Sequence, residues 1–84
     1  MKKILVTIYV LSIGKEFDIF VPIDIPLMNA INLIQKSIFE MSEGNYVIKQ
    51  DNQIMLFNEA GNIINSNNVV KYSGLKNGSK VLMI

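Results

Sequence analysis

The chain has 84 residues, half of them hydrophobic and 18% charged, with a net charge of +1. That length fits one domain, residues 1–84, with a single modest core, and the hydrophobic content excludes a disordered tail. The absence of cysteine and histidine excludes a disulfide framework and a thiolate metal site, and removes the commonest general base and metal ligand. Its positive charge comes from eight scattered lysines with no arginine, not the basic patch that nucleic-acid binding requires.

The chain opens with Met1, Lys2 and Lys3 before an apolar run over residues 4–13. A basic start and an apolar run suggest a secretory signal, but Gly14, Lys15 and Glu16 offer no small-residue cleavage site. The run is also shorter than the ~20 residues needed to span a membrane. Its Ile, Val, Thr and Tyr content predicts a strand over residues 2–11. Ile4, Val6, Ile8 and Val10 form one face; Leu5, Thr7, Tyr9 and Leu11 form the other. Residues 12–15 read as a turn, with Gly14 able to supply a positive φ. Residues 16–21 form a second strand, with Phe17, Ile19 and Val21 on one side and Glu16, Asp18 and Phe20 on the other. The pair reads as a hairpin.

A helix follows. Leu27, Ala30, Ile31, Ile34, Ile38 and Met41 recur at the spacing of one helical face, while Asn29, Asn32, Gln35, Lys36 and Glu40 fall elsewhere. Leu33 and Phe39 lie off the stripe and are expected to cover the ends of the core. Pro26 suits the first helical position, Asp24 adds negative charge near the positive end, and Gly44 suits a left-handed cap. Residues 46–48 fit either a short strand or an extended connection. Residues 53–57 read as a strand, 58–61 as a turn, 62–64 as a short return strand, 69–72 as one helical turn and 79–84 as a last strand.

The order of elements describes an α+β, β-grasp (ubiquitin-like) fold: a mixed sheet of four to five strands with one main helix packed across it. The first and last strands are the most continuously apolar, as suits parallel neighbours at the sheet centre. By alternation, Val81 and Met83 face the helix and Leu82 and Ile84 face away. A sheet covered by one helix should be polar on its outer side. Here Leu5, Tyr9, Leu11, Phe20, Leu82 and Ile84 all fall there, which marks an expected protein-interaction face.

The sequence resembles the small ubiquitin-like proteins of type VII secretion systems in Gram-positive bacteria, the YukD and EsaB proteins. The resemblance covers nearly the whole chain. It rests on Phe17-Asp18-Ile19 with Val21-Pro22, on Ile25-Pro26-Leu27 opening the helix, and on Val69-Val70-Lys71-Tyr72 followed by Asn77-Gly78 before the final apolar strand. Residues 44–53 depart from the pattern and leave the edge of the third strand open. The resemblance implies a cytoplasmic, non-enzymatic accessory protein that binds protein components of a membrane secretion machine, reaching the inner membrane face through those partners without inserting itself. Modifiers and sulfur carriers of this fold use a mobile tail ending in two glycines. Here no glycine follows Gly78, so conjugation is not expected. The alternative is a self-associating structural β-grasp module whose outer face forms a homodimer.

Catalytic readings are weaker than structural ones. Glu16 and Asp18 share a strand face, but paired acids on a surface strand are commonplace and no cleft is implied. Asp51, Asn52 and Gln53 lack the continuing oxygen ligands of a calcium loop. Gly74 and Gly78 lack the spacing and following helix of a phosphate loop and suit turns. Lys71, Lys76 and Lys80 read as solubilising charge. No enzyme activity, cofactor or metal is expected.

Overall fold

Strand β1 (Lys3–Val10) and strand β2 (Lys15–Pro22) form the antiparallel hairpin, with Ile8 opposite Phe17 and Val6 opposite Ile19. A computed structural model describes residues 2–84; Met1, part of the basic start, lies outside them. Helix α1 (Leu27–Met41) follows, then a two-residue strand β3 (Leu56–Phe57) and strand β4 (Lys80–Met83). The sheet order is β2-β1-β4-β3, with β1 and β4 parallel at its centre. This is the ubiquitin-like β-grasp, one helix on a four-stranded mixed sheet.

The alternation explains the core. Val6, Ile8, Val10, Phe17, Ile19, Val21, Val81 and Met83 are buried with Leu27, Ala30, Ile31, Ile34 and Ile38 of the helix. Ile4 is only half-buried at the end of the sheet and packs against this cluster. Met41 is exposed, because the last helical residue overhangs the sheet, and Leu33 and Phe39 are exposed rather than core-covering.

The helix ends differ from expectation. Pro26 stands one residue before the helix with ψ 144° and supplies no side-chain cap. Its carbonyl accepts the N–H groups of Asn29 and Ala30. The next orphan donors are met by a distant loop: Leu27 N–H donates to the Asn68 carbonyl at 2.8 Å and Met28 N–H to the Ser66 carbonyl at 3.1 Å. Backbone carbonyls thus replace a capping side chain. The Asp24 carboxylate pairs with Lys71 Nζ at 3.3 Å on the surface, a contact of about 0–1 kcal/mol. At the other end, Gly44 has a φ of 82°, but Glu43 before it is also left-handed, at 56°. A side chain in that region costs roughly 1–2 kcal/mol. Glu43→Gly is therefore expected to stabilise the domain by about 0.5–1 kcal/mol after the added chain entropy, read as a higher urea midpoint.

Gln35, expected on the polar side, is fully buried. Its position between Ile31 and Ile38 turns it inward, and all four of its hydrogen-bonding sites are used. Oε1 accepts the Tyr46 hydroxyl at 2.7 Å and the Lys49 N–H at 2.8 Å. Nε2 donates to the Lys49 carbonyl at 2.9 Å and to Asp51 Oδ1 at 3.2 Å. One side chain therefore ties residues 46–51 to the helix. This segment is an extended connection, not a strand, followed by a 3-10 turn over Asp51–Gln53.

Burial raises the Tyr46 phenol above its ordinary range. The folded state then holds the proton more tightly than the unfolded chain. The associated stability is complete below the unfolded pKa of about 10 and is lost as pH rises through the folded value. The stability difference between wild type and Tyr46→Phe, which isolates this group from the titrating lysines, is expected to hold level from pH 7 to 9. It should shrink above pH 10. Urea denaturation across that range checks it.

Beyond β3, residues 62–64 make a single bridge, Phe57 to Ile63, with Ile64 N–H donating to the Leu56 carbonyl at 2.8 Å. Val70–Tyr72 is a 3-10 turn, matching the expected helical turn. Asn77 continues the central pairing through its side chain, Oδ1 accepting the Leu5 N–H at 2.8 Å.

Candidate functional site: the outer sheet face

The strand register arranges the outer face in rows. One row pairs Phe20 with Leu5. The next runs Asp18, Thr7, Lys80, and the Thr7 hydroxyl donates to Asp18 Oδ1 at 2.7 Å. The third runs Glu16, Tyr9, Leu82, Phe57 and Ile63. Beyond it, Met55 and Ile84 exchange two backbone hydrogen bonds of 3.0 Å, and Leu11 N–H donates to the Met83 carbonyl at 3.1 Å.

The six residues singled out from sequence therefore lie in two groups, not one patch. Tyr9, Leu11, Leu82 and Ile84 gather at one end; Leu5 and Phe20 lie at the other. Leu5 and Tyr9 are four residues apart on β1, about 13 Å at the rise of a strand, and the polar row lies between them. Phe20 is 66% exposed, while Leu5 and Leu82 are half-buried. Three further apolar residues, Met55, Phe57 and Ile63, join the larger group. Sequence alternation missed them, because the short β3 takes its facing from long-range pairing with Leu82. Their own apolar character was the available signal.

Tyr9 lies against the hairpin turn. Its hydroxyl lies 3.7 Å from where a Cβ on Gly14 would stand, and Gly14 has a φ of 64°. A Cβ at that distance would make only an ordinary contact, so it is the positive φ, not space for the phenol, that favours glycine in the turn.

The other candidate groups are absorbed by structure. Asp51 Oδ1 serves Gln35, and Gly74 and Gly78 take the positive φ values of turns. Lys71 pairs with Asp24 and lies 5.4 Å from the centroid of the Tyr72 ring. Among the described residues no group of three or more acidic, histidine or cysteine side chains could hold a metal ion. No helix among them is long and apolar enough to cross a membrane.

The fold and its one-sided helix define a ubiquitin-like domain. The chain matches no family model and no curated protein. Its fold matches solved structures end to end. It is similar to the ubiquitin-like domain of the Mycobacterium tuberculosis type VII secretion system protein EccD1, at 16% identity and a TM-score of 0.71, covering 100% of this chain and 99% of that one. It is also similar to part of a chain in the MycP5-free ESX-5 inner membrane complex, at 9% identity and a TM-score of 0.69, covering 100% of this chain and 21% of that one. A third similar structure is described as molecular mimicry of SUMO that promotes DNA repair, at 17% identity and a TM-score of 0.68, covering 100% and 92% of the two chains.

Proposed function

We propose that this chain is a non-enzymatic, ubiquitin-like adaptor of a bacterial type VII secretion system, of the YukD and EsaB kind. In this reading it works in the cytoplasm and binds protein components of the secretion machinery at the inner face of the membrane. The observation that carries the reading is the end-to-end match to the EccD1 ubiquitin-like domain. The binding surface is the outer sheet face. Its larger apolar group, Tyr9, Leu11, Met55, Phe57, Ile63, Leu82 and Ile84, is the main contact, because contiguous apolar surface on a small domain marks an interaction site.

The adaptor is not conjugated to targets. In the host organism, in-frame deletion is expected to reduce export of type VII substrates and to leave other exported proteins unchanged. Wild type should restore export. A folded Tyr9→Asp/Ile63→Asp variant should restore much less, since Tyr9 is 37% and Ile63 58% exposed and neither belongs to the buried core. Unchanged type VII export after deletion would refute the assignment.

A further inference from the structure

Strand β2 bounds the sheet and, among the described residues, pairs only with β1. The direction of its backbone groups follows from the opposite side of β1. Thr7 N–H donates to the Ser79 carbonyl at 2.9 Å, the Leu5 carbonyl accepts the Gly78 N–H at 2.7 Å, and Leu11 N–H donates to the Met83 carbonyl at 3.1 Å. Odd residues of β1 thus point their backbone groups at β4. Even residues face β2, where their partners are Val21, Ile19, Phe17 and Lys15. The intervening Glu16, Asp18 and Phe20 must direct both N–H and C=O away from the sheet. Among the described residues, no backbone group outside the hairpin bonds to them. All three are exposed.

An edge with free donors and acceptors on alternate residues is complementary to an extended chain. The side chains of the same three residues share the outer face, two acidic and one large and apolar. We propose that the β2 edge takes up an extended segment of a partner protein as an added strand, with basic side chains beside Glu16 and Asp18 and an apolar side chain beside Phe20. A second copy of β2 is disfavoured in its two central registers. Antiparallel registers centred on residue 17 or 18 set Glu16 against Asp18, or Asp18 against itself, and like charges directly opposite destabilise a strand pair. The edge meets the Tyr9–Leu82–Phe57–Ile63 row at Glu16 alone, and the proposal does not depend on the secretion assignment.

The test is a titration of the 15N-labelled chain with a synthetic nine-residue peptide, N-acetylated and C-amidated. Valine alternates in it with residues that place two lysines and a leucine on the second face. Saturable shifts and slowed hydrogen exchange are expected at the Glu16, Asp18 and Phe20 amides. Replacing the two peptide lysines with glutamate should weaken binding about fivefold, from two cross-strand charge pairs. Glu16→Lys, which removes no hydrogen bond seen in the fold, should narrow or reverse that preference. Peptide N-methylation at the bonding positions should abolish binding. The proposal is overturned if the β2 amides show no saturable response, if the response is confined to the Tyr9 and Leu82 end, if lysine and glutamate peptides bind equally, or if N-methylation has no effect.

Discussion

Ile8→Ala is expected to cost about 3–4 kcal/mol of folding stability, the middle of the range for buried isoleucine truncations. Ile8 is fully buried on the central strand, with Phe17 of β2 and Val81 of β4 on either side. Its neighbours belong to strands locked by backbone pairing, so they cannot close over the lost atoms. A domain of this size has roughly 4–12 kcal/mol in all at typical values per residue, so the variant should lie near the edge of folding. Urea denaturation measures the loss. Phe20→Ala is the control: Phe20 is largely exposed, so its truncation should change stability by no more than about 0.5 kcal/mol. Equal effects at the two positions would contradict the assignment of the faces.

Gln35→Leu is expected to destabilise by about 2–4 kcal/mol although it places a hydrocarbon in a hydrocarbon core. The amide is the shared partner of the Tyr46 hydroxyl, the Lys49 N–H and the Lys49 carbonyl. Removing it strands these groups, and each buried polar group left without a partner costs about 1–3 kcal/mol. Water reaching Lys49, whose bonds to Gln35 are only part-buried, reduces the sum. Tyr46→Phe removes one donor and leaves Oε1 with the Lys49 N–H, so it should cost only about 1 kcal/mol. Amide exchange adds a local readout: residues 46–51 should lose protection in Gln35→Leu while the β1 and β4 amides keep theirs relative to global stability. A near-neutral Gln35→Leu would show that the connection holds itself.

The two effects mark what was readable in the sequence. The period-2 runs of β1, β2 and β4 and the helical stripe from Leu27 to Ile38 each carry enough repeats to fix a face, and the parallel β1–β4 centre follows from their continuous apolar character. Gln35 was not read as buried because its side chain is polar, although its spacing, four residues after Ile31 and three before Ile38, sets it beside the apolar stripe and Lys36 on the far side. Only the chain folding back from Tyr46 to Asp51 makes burial of its amide favourable. The helix start was misplaced by one residue because its caps are carbonyls of Ser66 and Asn68, some forty residues away. The expected strand over 53–57 begins later because Gln53 is taken into a 3-10 turn with Asp51 and Asn52, while Met55 still exchanges two backbone hydrogen bonds with Ile84 before β3. The outer apolar face was legible in its β1 and β4 members. Its division by the Asp18–Thr7–Lys80 row, and the addition of Met55, Phe57 and Ile63, depend on cross-strand register that no local pattern encodes.

The measurement that tests the central claim most directly is affinity capture of the tagged chain from detergent-solubilised host membranes and cytosol, with wild type and the Tyr9→Asp/Ile63→Asp variant run side by side. Circular dichroism and urea midpoints confirm that both are folded. The account predicts that wild type recovers membrane components of the type VII machinery and that the folded variant loses them. Recovery of the chain alone, as a homodimer, or equal recovery of those components by the variant, would contradict it.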